Sequence, residues 1–188
     1  MARVAIDPPQ PVTADELFHR PDHDRYELVA GALRVCEPPG GTHGQVAARL
    51  CYRLTGFVEA ERVGVVLVES GFILHRGPDT VRGPDLSFVA AGRLPTAGVP
   101  ASFVPLAPDL AVEIRSPDDR AGAVAEKVTN YLDAGTRLVW VIDPAGRRVT
   151  VYRADGSTAE LTDSDWLDGE TVLPGFRCWI GDVLPSRS

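Results

Sequence analysis

The chain has 188 residues, 44% of them hydrophobic and 24% charged, with a formal net charge of −7. This is one domain's worth of chain, long enough to bury a core, with the composition of a soluble globular protein. The acidic balance excludes a protein that coats nucleic acid non-specifically, and apolar runs such as "VGVVLV" are strand-sized, far short of a bilayer span.

Residues 1–12 are Pro-rich and read as a flexible arm, leaving 13–188 as a single domain. The opening "MARVAIDPPQ" lacks the apolar core of a secretory leader. Cys36, Cys51 and Cys178 are odd in number and form no CxxC, so reduced thiols and a cytoplasmic location are expected. "TADELF" offers a capping box, Thr13 with Glu16, and predicts a short helix. "RYELVAGALRVCEPP" alternates about Gly31 and predicts a hairpin with strands at 25–30 and 32–36. In "GGTHGQVAARLCYRL", Val46, Ala47, Leu50, Cys51 and Leu54 recur at helical spacing, with Thr42 as the expected cap.

Further strands are expected near 62–68, 71–75 and 86–89, followed by a long Pro/Gly/Ala-rich loop over 91–108. "PDLAVEI" predicts a buried strand at 109–115, and the next helix runs over 121–134 to a glycine stop at Gly135. "RLVWVID" is a second buried strand, and the pair can be joined by a right-handed crossover through the helix. "PAG" turns the chain into an antiparallel partner, "RRVTVYRA". The tail "LPGFRCWIGDVLP" is expected to close one edge. The class is mixed α and β.

Three acids stand in apolar strand contexts: Glu27 in "YELV", Asp85 in "GPDLSFV" and Glu113 in "DLAVEIR". A buried charge without a partner is expensive, so each needs a cation, a metal or a wet strand face. Glu113 is the sharpest case, because a helix-covered strand should be apolar on both faces. Of the nineteen Lys and Arg residues only Lys127 is lysine. It borders the helix stripe of Val124, Val128, Tyr131 and Gly135, where it either snorkels over the core edge or turns its amine toward Glu113. Two carboxylates and a lysine suit a divalent-metal phosphodiesterase. Mg²⁺ takes one or two protein carboxylates and leaves room for water and phosphate, and a lysine can stabilise the developing charge.

"RYELVAGALRV", "PPGGTHGQVAARL", "GPDLSFV", "PDLAVEIRSPDDRAGAVAEKVTNYLDAGTRLVWVIDPAGRRVTVYR" and "LPGF" occur in this order. Over residues 13–184 they resemble the bacterial Uma-type putative restriction endonuclease family, within the PD-(D/E)xK nuclease superfamily. The resemblance implies a restriction-endonuclease-like core, a mixed central β-sheet flanked by helices, and a Mg²⁺- or Mn²⁺-dependent endonuclease acting on nucleic acid, DNA first, as a homodimer. It makes Asp85 and Glu113 metal ligands and Glu27 a further acid of the site. His43 matches a frequent family histidine, beside its alternative as a plain helix-start residue. The superfamily lysine would stand two residues after the second acid, where this chain has Arg115. In this family its role looks transferred to the helix, at Lys127. Arg115, Arg120, Arg137, Arg147, Arg148 and Arg153 either face a phosphate backbone or are charges on a solvated edge. His19 and His23 are four apart, but Pro21 argues against a continuous helix carrying a metal pair. His75 has no matching role. The rival reading is a non-catalytic nuclease-fold binding module.

Overall fold

The computed structural model describes residues 10–117 and 119–186. In chain order, helix α1 (Ala14–Phe18) opens on the Thr13–Glu16 capping box and is followed by the hairpin β1 (Tyr26–Val29) and β2 (Ala32–Val35). Both hairpin turn residues have positive φ, Ala30 at 48° and Gly31 at 77°, as a primed two-residue turn requires. A Cβ on Gly31 would also run into Pro11 at 2.2 Å. Residues 1–9 of the expected arm lie outside the described residues. Val12, by contrast, is held in place, because its amide donates to the Gly31 carbonyl at 2.9 Å.

Helix α2 (Gly41–Glu61) buries His43, Val46, Leu50, Leu54 and Val58 along one stripe. Its N-cap is Gly40, without a side-chain cap bond, rather than the expected Thr42. Strands β3 (Gly64–Val68), β4 (Phe72–His75), β5 (Thr80–Arg82), β6 (Leu86–Ala90) and β7 (Leu110–Ile114) follow. The segment expected as loop between β6 and β7 contains a short 3₁₀ turn and pairs Val104 with Phe72. Helix α3 (Ala121–Asp133) ends in a Schellman motif: Gly135, φ 97°, donates to Leu132 and Thr136 donates to Tyr131. The chain finishes with β8 (Leu138–Asp143), β9 (Arg148–Arg153), β10 (Thr158–Thr162), β11 (Trp166–Asp168), β12 (Arg177–Trp179) and α4 (Ile180–Val183).

The central sheet has the order β10-β9-β8-β7-β6-β3 and is mixed. β7 and β8 pair in parallel around α3, and the other neighbours are antiparallel. Strand alternation sorts its residues. Leu110, Val112, Ile114, Leu138, Trp140 and Ile142 face α2, while Ala111, Val139 and Val141 face Val128 and Tyr131 of α3. A second sheet, β2-β1-β5-β4, carries the N-terminal half. The tail does not extend the central sheet: β11 and β12 pair with each other and pack Leu167 and Cys178 into the α2-side core. Among the described residues no helix is long and apolar enough to cross a membrane.

Leu50 is fully buried at the middle of the α2 stripe. Leu50→Ala should cost about 2–5 kcal/mol through lost burial and a residual cavity. At about 2–4 °C per kcal/mol for a domain of this size, that lowers the melting temperature by roughly 5–15 °C in a circular-dichroism melt.

Candidate active site

The five residues singled out by the sequence fall into two bonded groups at neighbouring strand ends. The first is built on the β6–β7 pair. Leu86 faces Val112 across this antiparallel ladder, which sets Asp85 across from Glu113. Asp85 Oδ2 accepts the Ile114 amide at 2.6 Å and meets His43 Nε2, from the first turn of α2, at 3.1 Å. His43 is thus a buried helix-start residue in contact with Asp85. Its hydrogen bond to Asp85 raises the imidazole pKa, against the opposing effect of burial. His43 Nδ1 is buried and has no hydrogen-bond partner among the described residues.

The second group is Glu113, Lys127 and Glu27. Glu113 points to the α3 face of the sheet and is only 7% exposed. Lys127 Nζ lies 2.9 Å from Glu113 Oε2, and the Tyr131 hydroxyl donates to Glu113 Oε1 at 2.7 Å. Lys127 also reaches Glu27 Oε1, on β1, at 3.4 Å. Burial pushes the Glu113 carboxyl up to about 7, Lys127 pulls it back, and the Asp85 and Glu27 carboxylates push it up again. Burial works against the Lys127 charge, but Glu113 first and Glu27 second carry its pKa above the ordinary lysine value. Glu113 is thus the member of the pair poised to change protonation, while the amine stays charged. Burial beside Glu113 keeps the Tyr131 hydroxyl protonated and donating.

Both oxygens of Glu27 are engaged. Arg82 Nη1 holds its Oε2 at 2.8 Å, and the Gly83 amide holds its Oε1 at 3.0 Å. Arg82 continues the network through Nε and Nη2 to Asn130 Oδ1, at 2.9 and 2.7 Å, and through Nη2 to Glu126 Oε2 at 3.3 Å. Glu27 therefore ties Lys127 and Arg82 together, and with them the second sheet to α3.

Among the described residues no three His, Cys, Asp or Glu side chains are grouped so as to hold an ion. Two carboxylates opposite one another, with Asp85 Oδ1 free of hydrogen bonds among the described residues, still fit a hard cation that completes its shell with water and phosphate oxygens.

A family model described as "Uma2: Putative restriction endonuclease" matches residues 14–183. The chain belongs to the Uma2 family. A solved structure, described as a putative nuclease belonging to DUF820 from Anabaena variabilis ATCC 29413, is similar at 25% identity. The match covers 92% of this chain and 97% of that one, with a TM-score of 0.81. The fold is thus nuclease-like. No curated protein matches.

In this Uma2 chain Arg115 stands two residues after Glu113. Its contacts are Asp143, at 3.5 Å, and the Asp119 carbonyl, at 3.4 Å, not Glu113. Four of the other arginines each pair with an acid. Arg137 pairs with Asp109, Arg147 with Asp163, Arg148 with Glu160 and Arg153 with Glu170. His19 and His23, both beyond the end of α1, bond the backbone carbonyls of Asp15 and Arg20.

Sequence reasoning missed Tyr131, Asn130 and Arg82. The signal for Tyr131 was present, since it lies four residues after Lys127 on the same helix face. Asn130 stands in the same relation to Glu126. Arg82 belongs to a strand of three residues, too short to show alternation.

Proposed function

We propose that this chain is a Mg²⁺- or Mn²⁺-dependent endonuclease that hydrolyses phosphodiester bonds in nucleic acid, DNA first. The observation that carries this reading is a buried Glu113 across from Asp85 with the single lysine 2.9 Å from its carboxylate. Asp85 and Glu113 would hold the ion. When bound, a divalent cation supplies a water of lowered pKa and offsets phosphate charge. His43 and the Ile114 amide orient the Asp85 carboxylate. Tyr131 fixes Glu113, and Lys127 places a permanent positive charge where a scissile phosphate gains negative charge.

The test is nicking of supercoiled plasmid in Mn²⁺, run beside melting curves in chelator and in Mn²⁺. Wild type should nick, and Mn²⁺ should raise its melting temperature, because a ligand that binds only the native state stabilises it. Glu113→Gln should remain folded, lose at least 100-fold in nicking and gain less from Mn²⁺. Nicking unchanged by that substitution would sink the assignment. The closure of both Glu113 oxygens by Lys127 and Tyr131 favours, as a second reading, a nuclease fold that binds without cutting. Its signature is DNA binding that survives chelator, with no Mn²⁺ effect on melting and no nicking.

A further inference from the structure

We propose that the cleft running from Lys127 across β8 and β9 is a subsite for one unpaired nucleotide of the strand being cut. Its base lies against Tyr152 and Thr150, and Arg115 clasps its phosphate. The strand part rests on the nuclease reading; the nucleotide part rests on the cleft itself.

Two cavities meet here. A small one, about 60 Å³, is walled by Glu113 and Lys127. A larger one, about 340 Å³, lies over Val141, Thr150 and Tyr152, and Arg115 and Val124 line both. The larger volume is that of a small-molecule site. Its floor follows from sheet register. Val141 faces Thr150 across β8–β9, Val139 faces Tyr152, and alternation turns these side chains to the α3 side of the sheet. Val124 and Ala125 of α3 form the wall.

The rim is charged but balanced, with Arg115 and Arg148 against Asp143 and Glu160. A balanced rim over an apolar and aromatic floor suits a neutral flat ring with hydrogen-bonding edges better than a bare phosphate. Single-stranded bases are held in this way, one face on an aromatic ring and the edges on polar groups. Arg115 stands where the two cavities join. Among the described residues its two terminal nitrogens make only long contacts, 3.5 Å to Asp143 and 3.4 Å to the Asp119 carbonyl, and its buried Nε has no partner. A guanidinium held so loosely has its fork available for an oxyanion. Because the small cavity ends on Glu113 and Lys127, a nucleotide seated in the cleft directs its phosphate at that pair.

The test is ligand-observed NMR titration in chelator, so that neither metal nor cleavage enters. The probes are dAMP, dTMP, 2-deoxyribose 5-phosphate and a trinucleotide. Wild type should bind the trinucleotide at least tenfold more tightly than the mononucleotides, and the mononucleotides at least tenfold more tightly than the base-free sugar phosphate. Ala125→Trp, which fills the cleft from an exposed helix position, should lose at least tenfold of the trinucleotide affinity with an unchanged melting curve. Arg115→Gln should lose about tenfold. Wild type and both variants binding alike, the sugar phosphate binding as well as dAMP, or the trinucleotide binding no better than dAMP would overturn the subsite. Failure here is separable from failure of the nuclease reading. A protein that nicks plasmid but shows any of those three results refutes the subsite alone. One that binds as expected but never nicks refutes the nuclease and leaves the nucleotide site standing.

Discussion

Lys127→Met should abolish plasmid nicking and lower the melting temperature by roughly 10 °C at neutral pH. Lys127 Nζ sits between Glu113 Oε2, at 2.9 Å, and Glu27 Oε1, at 3.4 Å. Among the described residues it is the only cation paired with Glu113. Removing Lys127 leaves Glu113 buried without its cation; a carboxyl already pushed up to about 7 then takes up a proton, which keeps the cost at the lower end of the about 3–5 kcal/mol of a broken buried pair. Lys127 also keeps a quarter of its side chain exposed, which puts the loss at about 3 kcal/mol. At about 2–4 °C per kcal/mol this is the stated shift. The double variant Lys127→Met/Glu113→Gln should recover much of that stability but none of the cleavage, since it removes the stranded acid and with it a metal ligand. Denaturant melts of the two variants decide the matter; a double variant no more stable than the single one would refute the charge argument. Lys127→Arg should keep most of the stability and still fail to cut. The guanidinium can pair with both carboxylates but cannot act as a compact, movable point charge beside a phosphate.

Arg82→Met should be as damaging to the fold, costing about 3–5 kcal/mol, although Arg82 never touches Glu113. Its side chain is 4% exposed, and it bonds Glu27, Asn130 and Glu126 at once. Burial opposes its charge, but the Glu27 carboxylate outweighs this and raises the guanidinium pKa, so it is ionised throughout the stable range. Without Arg82, the Glu27 carboxylate keeps only the Gly83 amide and competes with Glu113 for Lys127. The amine then moves off the site, and a displacement on the order of 1 Å costs about 100-fold in rate. Glu27→Gln in the Arg82→Met background should restore stability, because it removes the unmatched charge. Chemical denaturation and a nicking time course report the two effects separately. An Arg82→Met protein with wild-type stability would refute the network.

Much of this was legible in the chain because it rests on local physics. The Thr13–Glu16 capping box, the hairpin about Gly31 and the glycine stop at Gly135 depend only on neighbouring residues. The β7–α3–β8 unit was readable because two apolar runs flank one amphipathic helix, and a helix between them permits parallel pairing. Glu113 and Lys127 stood out as chemical exceptions, an acid inside an apolar run and one lysine among arginines.

The tertiary structure decided the rest, and the reason is distance along the chain. Glu27 and Arg82 are 55 residues apart, and Arg82 and Asn130 are 48 apart. Such pairs are set by how the second sheet docks on α3, which no local window contains. Sheet packing also set Glu27 against both Lys127 and Arg82, and made Tyr131, read from its spacing as one more residue of an apolar stripe, the hydrogen-bond donor to Glu113. Of the arginines left open between a phosphate-facing role and a solvated edge, Arg137, Arg147, Arg148 and Arg153 meet Asp109, Asp163, Glu160 and Glu170, partners 12 or more residues away that the fold chooses and not sequence proximity. Composition and period thus specified the elements and the unusual residues, while register and docking specified which charges meet.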